Sequence, residues 1–336
     1  TSMRPETWIR PTPQGLYVEP GDFFIDPTRP SSRAVITHGH GDHARPGHTH
    51  VLATSGTLAI MRARYGDAAG AQTQTAAYGA PIHVNGVEIR FAPAGHVLGS
   101  AQIALQWRGS RVVVSGDYKR RRDPTCAPFE PQSCDVFITE ATFGLPVFTH
   151  PDDTGEIRRL LDSVRRNPER VHVVGVYALG KCQRVIRLLR EAGWDAPIHL
   201  HGALRDLCNV YEAAGIALGP LPAAAGADKA SLGGSIVLAP PSALDDRWSR
   251  GLPDPLVVAA SGWMRIKQRA KQRGVELPLI ISDHADWPEL LATFDGVGAP
   301  EIWVTHGQED ALVHAAAAKG IRARALRLVG FDDEGT

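Results

Sequence analysis

Residues 37–43 read T-H-G-H-G-D-H, three imidazoles and a carboxylate at a density that core packing does not explain. His38 and His40 stand two apart, so in an extended loop they point the same way and can grip one ion, whereas adjacent Asp42 and His43 diverge toward a second. A closed ligand set needs further donors, and His96, Asp117, His284 and His306 each sit at the end of a short apolar run. His38, His40, His96 and Asp117 complete one expected site. Asp42, His43, Asp117 and His306 complete a second, with Asp117 shared because a carboxylate has two oxygens and can bridge two ions. Paired divalent ions about 3.5–4 Å apart polarise a phosphoryl group and hold a nucleophile in line for attack. The chemistry implied is hydrolysis.

A phosphodiester also needs a proton for its basic leaving alkoxide. His284, set in S-D-H-A-D, is the candidate acid, with Asp283 and Asp286 near enough in sequence to orient it; the alternative is that His284 binds metal and His306 does not. Glu140 can fix an imidazole or the attacking water. Asp26 can orient a ligand histidine through its second ring nitrogen, or can simply cap the turn before Pro27. Asp26, Asp42, Glu140 and His284 are thus the expected catalytic groups, while His48 and His50 are expected at the rim or surface. The run Lys119, Arg120, Arg121, Arg122 follows Asp117 after Tyr118 and reads either as a solvated face or as a phosphate clamp. A second basic stretch, Arg265, Lys267, Arg269, Lys271 and Arg273, precedes His284, and Trp263 beside it reads equally as a base-stacking platform or a core residue.

The elements that must position these groups follow from the hydrophobic pattern. The first 144 residues are strand-rich with short turns, and a helix is predicted over residues 55–65 with Thr54 or Ser55 at its cap. From Pro151 the pattern changes to alternating helix and strand, as in a doubly wound sheet: helical over 154–166, 181–192 and 204–214, extended over 171–177, 198–200, 236–238 and 257–260. From Leu279 the earlier pattern returns, with strands expected over 279–282, 302–305 and 323–329. One domain is therefore inserted into another: residues 1–144 and 277–336 form the first, residues 145–276 the second. Gly180-Lys181 lacks the glycine spacing of a phosphate loop and is followed by Cys182 instead of Ser or Thr, and no dinucleotide fingerprint occurs, so the inserted domain reads as a lid or platform.

Composition narrows the classes. Lys plus Arg and Asp plus Glu are 36 each, so net charge does not advertise a polyanionic partner. Four cysteines, Cys126, Cys134, Cys182 and Cys208, form no pair close in sequence, which argues for thiols and against a disulfide frame or thiolate zinc site. No apolar run approaches the roughly 20 residues of a membrane helix, and the opening T-S-M-R-P has no signal-peptide core. The expected compartment is the cytoplasm.

T-H-G-H-G-D-H at 37–43, A-G-H at 94–96, S-G-D at 115–117 and T-H-G at 305–307 together resemble the metallo-β-lactamase superfamily. T-E-A-T-F-G around Glu140, A-L-G-K-C-Q at 178–183 and S-D-H-A-D around His284 resemble its nucleic-acid-processing branch with the β-CASP insertion. Residues 15–27 and 37–48 are most similar to the bacterial ligase-associated DNA exonucleases. The resemblance implies an α/β fold, an αββα sandwich with an inserted β-CASP domain, and two divalent ions, zinc or manganese, on His38, His40, Asp42, His43, His96, Asp117 and His306. It also implies His284 as the leaving-group acid and Asp26 and Glu140 as supporting carboxylates. Lys119, Arg120, Arg121, Lys181, Arg265 and Lys267 are the expected substrate contacts. The implied activity is a DNA exonuclease of repair, in functional association with a DNA ligase and a helicase and with no membrane partner. His306 matches the RNA-processing members where the eukaryotic DNA-crosslink-repair members carry valine, which keeps a ribonuclease as the alternative.

Overall fold

The structure, a computed structural model, describes residues 1–331; the last five positions of the expected C-terminal segment, 332–336, lie outside the described residues. Its contacts divide into two compact units. One comprises Thr1–Thr149 together with the described residues from His284 onward, and the other is His150–Asp283.

Two sheets make the first unit. A six-stranded sheet runs in chain order through Ile9–Thr12, Gly15–Val18, Phe23–Ile25, Arg33–Val35, His50–Ala53 and Gln72–Thr75. A seven-stranded sheet is ordered Arg322–Ala325, Glu301–Gly307, Val136–Ala141, Ser110–Val114, Ala101–Trp107, Val87–Pro93 and Ile82–Val84. Successive side chains of a strand point to opposite faces, and the run Val112, Val113, Val114 shows the consequence. Val112 and Val114 enter the core shared by both sheets with Phe23, Ile25, Phe91, Ile103 and Ile138, while Val113 turns outward onto Leu290, Phe294, Leu312 and Ala316 of the helices Trp287–Val297 and Glu309–Ala318. On the far side, Ile36, Val51 and Ala53 meet Leu58 and Met61 of the helix Ser55–Tyr65. The layers are therefore helix, sheet, sheet, helix, and the all-apolar strands are those buried on both faces. Truncating fully buried Ile103 to Ala costs about 2–5 kcal/mol.

The helix Ser55–Tyr65 starts where its cap predicts, because the Thr54 hydroxyl accepts the backbone N–H of Thr57. That helix carries Ile60, whose side chain lies so close to Gly39 that a Cβ there would clash, so it backs the histidine loop directly.

The second unit is a five-stranded sheet ordered Ile198–Leu200, Ile236–Ala239, His172–Gly175, Leu256–Ala260, Leu277–Leu279, with every neighbouring pair parallel. Its helices include Asp153–Arg166, Lys181–Glu191 and Arg205–Ala213. One expectation fails here. The strand expected over 279–282 is instead Leu277–Leu279, and it belongs to this sheet because Leu277, Pro278 and Leu279 pair with Val258, Ala259 and Ala260. The apolar residues that follow, Ile280 and Ile281, lie in the loop leading to His284. The cysteines distant in sequence also meet: Cys182 and Cys208 are buried with their Sγ atoms 3.7 Å apart, as free thiols. Among the described residues no helix is long and apolar enough to cross a membrane.

Candidate metal centre

Each expected ligand stands in or just after a strand of the first unit. The histidine loop follows Arg33–Val35, His96 follows Val87–Pro93, Asp117 follows Ser110–Val114, and His306 lies in Glu301–Gly307. Two glycines let these backbones approach. Gly95 holds φ 73° against the carbonyl of Lys119, where any Cβ would collide, and so brings His96 down onto the Asp117 loop. Gly307 holds φ 132° hard against Ala141, at the point where the pairing of Val136–Ala141 with Glu301–Gly307 slips register between Thr139 and Ala141. This irregularity leaves His306 itself at φ 54°, a left-handed conformation that a histidine seldom takes.

Their donor atoms converge. His38, His40, His96 and Asp117, all buried, place one ligand atom each within 4.8 Å of every other. Oδ2 of Asp117 is the common point, 3.4 Å from His38 Nε2, 3.3 Å from His43 Nε2 and 3.9 Å from His96 Nε2. His40 Nδ1 faces His96 Nε2 at 3.0 Å. On the other side of Asp117, His43 Nε2 lies 3.5 Å from Asp42 Oδ2, and the His306 ring centroid is 5.3 Å from that of His43. The first expected set is thus a closed cluster, and the second is gathered around His43.

Buried acceptors fix which ring nitrogen is free. Asp26 accepts three hydrogen bonds: from the backbone N–H of Thr37 at 2.8 Å, from the Thr37 hydroxyl at 2.6 Å and from His43 Nδ1 at 2.7 Å. With its proton given to Asp26, the Thr37 hydroxyl accepts from His38 Nδ1 at 2.9 Å. Both imidazoles are thereby held with Nδ1 as the donor and Nε2 turned toward Asp117. Asp26 thus fixes the orientation of the His43 ring, and it does so at φ 48°, a second strained position in the same site.

The titration behaviour divides likewise. Burial, with positive neighbours, pushes His38 and His96 well below the ordinary histidine value. His306 is half-buried with its Nδ1 inside, and burial pushes the group down to about 3. His43 is opposite: burial pulls it down, but Asp42 and Asp117 outweigh that and hold it well above. Asp117 is disfavoured as an anion by burial and still held well below the carboxylate range by His43 and His38. Among the described residues, His38 Nε2 and His306 Nδ1 have no hydrogen-bond partner although both are buried. Imidazole nitrogens turned on an anionic oxygen, with His38 and His96 held neutral, are a donor set that could hold a divalent cation.

Glu140 and His284 form the third element. Both are buried, and His284 Nδ1 lies 2.9 Å from each Glu140 oxygen, while the backbone N–H of Tyr118 donates to Glu140 Oε1 at 2.7 Å. The His284 loop is pinned to the Asp117 loop by the bond from Ala285 N–H to the Tyr118 carbonyl, 2.7 Å. The orienting partner is therefore Glu140. Asp286 instead caps the helix Trp287–Val297 and pairs with Arg121, and Asp283 pairs with Lys181 at 3.5 Å and Arg184 at 3.7 Å.

The expected basic contacts divide. Lys119 and Lys181 are buried, and Lys181 is committed to Asp283. Arg121 holds Asp286 and Glu289, at 2.9 and 3.3 Å, and Arg120 donates to Thr293 and lies over the Phe129 ring. Lys181 is thus buried against a counter-charge, whereas Arg120 and Arg121 are only half-buried. Arg265 and Lys267 stay exposed, as do Arg269, Lys271 and Arg273. Trp263 is half-buried under the Arg269 guanidinium. His48 is buried and accepts from Ser31 N–H at 3.1 Å, so it anchors the loop instead of lining a rim, whereas His50 is exposed.

Two residues of the site escaped the sequence reading. Thr37 had a signal, a hydroxyl beside the first ligand histidine. Phe331 had none: its ring lies 5.0 Å from His43 and 4.3 Å from His306, and its segment is held by a bond from Arg45 to the Gly330 carbonyl.

A two-sheet sandwich with helices outside and histidine and aspartate donors in the loops after its strands has the architecture of the metallo-β-lactamase fold. No family model matches the chain. It is 29% identical over 325 residues to a probable DNA ligase of Opitutus terrae, covering 93% of this chain and 30% of that protein. It is 37% identical over 123 residues to the endoribonuclease YSH1 of Kluyveromyces lactis, 35% of this chain and 16% of that one. An RNase J-like protein of Methanocaldococcus jannaschii is 28% identical over 134 residues, 37% of this chain and 32% of its own. The chain thus spans a third or less of the length of these relatives. A crystal structure of a protein of unknown function from Enterococcus faecalis shares the fold, with a TM-score of 0.60 at 12% identity, over 90% of this chain and 80% of that one. Taken with the ligand set and the inserted parallel sheet, these likenesses fit the β-CASP branch of the metallo-β-lactamase superfamily.

Proposed function

We propose that the chain is a metal-dependent phosphodiesterase that degrades DNA from an end in repair, acting in the cytoplasm. The observation that carries the reading is a single carboxylate oxygen, Asp117 Oδ2, within 3.9 Å of three buried imidazole nitrogens, beside a carboxylate-paired histidine at 284. His38, His40, His96 and Asp117 would hold one divalent ion, and Asp42, His43, Asp117 and His306 a second, zinc or manganese. Such ions polarise the phosphoryl group and make a nucleophile available at neutral pH. The chain's own part is proton handling and orientation. Glu140, accepting from His284 Nδ1, stabilises the doubly protonated ring, whose Nε2 proton is then delivered to the leaving alkoxide. Asp26 and Thr37 keep His43 and His38 from rotating or changing tautomer. The exposed cations Arg265 and Lys267 supply sequence-independent contacts to a phosphate backbone.

DNA is favoured by the length of the likeness to a protein named as a DNA ligase, which also supports a working association with a ligase and, by extension, a helicase. His306 and the endoribonuclease and RNase J-like relatives support a second reading, a ribonuclease with the same centre. Digestion of DNA and RNA of identical sequence, labelled at either end, with zinc or manganese and an Asp117→Ala control, decides between them. Stepwise loss of nucleotides from DNA, absent in the variant, is the expected result. Cleavage confined to RNA would replace the first reading by the second.

A further inference from the structure

In the second unit the chain starts from the strand His172–Gly175, moves two places outward to Ile198–Leu200, returns to Ile236–Ala239, and then crosses to Leu256–Ala260 on the other side. The starting strand therefore lies between two neighbours reached by later crossovers. Such a reversal of strand order opens a crevice beyond the carboxyl ends of a parallel sheet, and ligands of doubly wound domains bind there. A cavity of about 320 Å³ lies at this place, lined by residues that follow those three strands.

Side-chain size explains the hollow. Gly175 and Ala259 are register partners and so lie side by side, and both line the cavity as a floor of minimal bulk. Leu244 lies over Gly175, where a Cβ would come within 2.6 Å of its Cδ1, and Met264 stands with Ala259, so the uncovered part of the floor is Ala259. A flat floor between two apolar walls accepts a planar ring. Around the opening stand Tyr177, Ser242, Asp245 and Arg273. Asp245 and Arg273 are exposed, and among the described residues neither side chain is in an ion pair. That distinguishes them from Lys181, Arg184, Arg170 and Asp283 of the same unit, all of which are paired.

We propose that this cavity binds a nucleoside monophosphate, with its base over Ala259 between Leu244 and Met264, its ribose hydroxyls on Asp245 and its phosphate on Arg273. A carboxylate for sugar hydroxyls is the device of nucleotide-binding sheets, and a guanidinium grips a phosphate through two parallel hydrogen bonds. The volume lies at the lower end of small-molecule sites, roughly 300–1,000 Å³, which suits one nucleotide and not two. Because an arginine supplies the phosphate contact, no glycine-rich loop is needed, and the missing fingerprint at Gly180-Lys181 is no obstacle. The inference stands on the second unit alone and does not depend on the nuclease reading.

Calorimetric titration of the intact, metal-loaded chain with AMP tests it. One AMP per chain is expected, weakened at least tenfold by Arg273→Ala and undiminished in Asp117→Ala, with inorganic phosphate and adenosine each binding more weakly than AMP. Asp245→Ala is expected to weaken AMP more than its 2′-deoxy counterpart. Both altered positions are exposed, and unchanged thermal melting confirms that the variants fold. No binding at millimolar AMP overturns the proposal. So does binding that Asp117→Ala abolishes and Arg273→Ala leaves intact, since that places the nucleotide on the metal centre.

Discussion

The two halves of the metal centre, joined at Asp117, are built by different means. His38, His40, His96 and Asp117 all have ordinary backbone conformations and converge as a closed cluster of buried donors. The half around His43 relies on Asp26 at φ 48° and His306 at φ 54°, and an aromatic ring from far along the chain lies against it. Left-handed conformations cost of order 1–3 kcal/mol each and persist only where the surroundings over-determine them. Here the surroundings are the three hydrogen bonds into Asp26 and the register slip beside Gly307. One half is thus set by short spacing in the chain, and the other by long-range packing that holds strain in place.

The contrast can be broken at its common point or sharpened on either side. Asp117→Ala removes the residue both halves share. Loss of both ions by elemental analysis is expected, with a fall in the single-turnover rate on the order of a thousandfold, about 4 kcal/mol of barrier. Glu140→Gln leaves the ligands untouched and frees the His284 ring; metal content should hold while kcat falls about a hundredfold with KM little changed, in the range of one positioned acid. Next comes Asp26→Asn, which strips the acceptor from His43 and should weaken only the second ion, by about 10–100-fold in affinity. Equal loss of both ions in a competition titration with a chelator would show that the halves are not independent.

The smallest effect is a proton count. In the metal-free chain His43 is held well above the ordinary histidine value, so it is protonated at neutral pH, whereas His38, His96 and His306 are pushed below it and are neutral. A group whose value is raised must shed its proton to bind metal, and one whose value is lowered has none to shed. Filling the second half should therefore release about one proton per ion at pH 7, and filling the first half none. Titration in buffers of different ionisation enthalpy reads this directly, and equal release from both steps would contradict the electrostatic difference.

What could be read in advance follows the same division. The clustering of His38, His40, Asp42 and His43 is legible because side chains two apart or adjacent on a loop have directions that spacing dictates. The helix Ser55–Tyr65 is legible because its capping threonine and apolar period agree. The partners of charges are hidden where they are remote: nothing near Arg121 in the chain announces Asp286 and Glu289, and nothing near Lys181 announces Asp283. The strand Leu277–Leu279 goes to the other unit's sheet because a short apolar run does not name the sheet it joins. Cys182 and Cys208, 26 positions apart in the chain, meet only through the packing of two helices.

The placement of Phe331 bears on how the protein is handled at the bench. Phe331 touches His43 and His306, so a polyhistidine tag placed beside it in the chain would stand where it can compete for the ions being counted. Metal stoichiometry and proton release are therefore cleanest on protein tagged at the other end, or with the tag removed, and a C-terminally tagged preparation that carries an extra ion reports the tag's chemistry in place of the enzyme's.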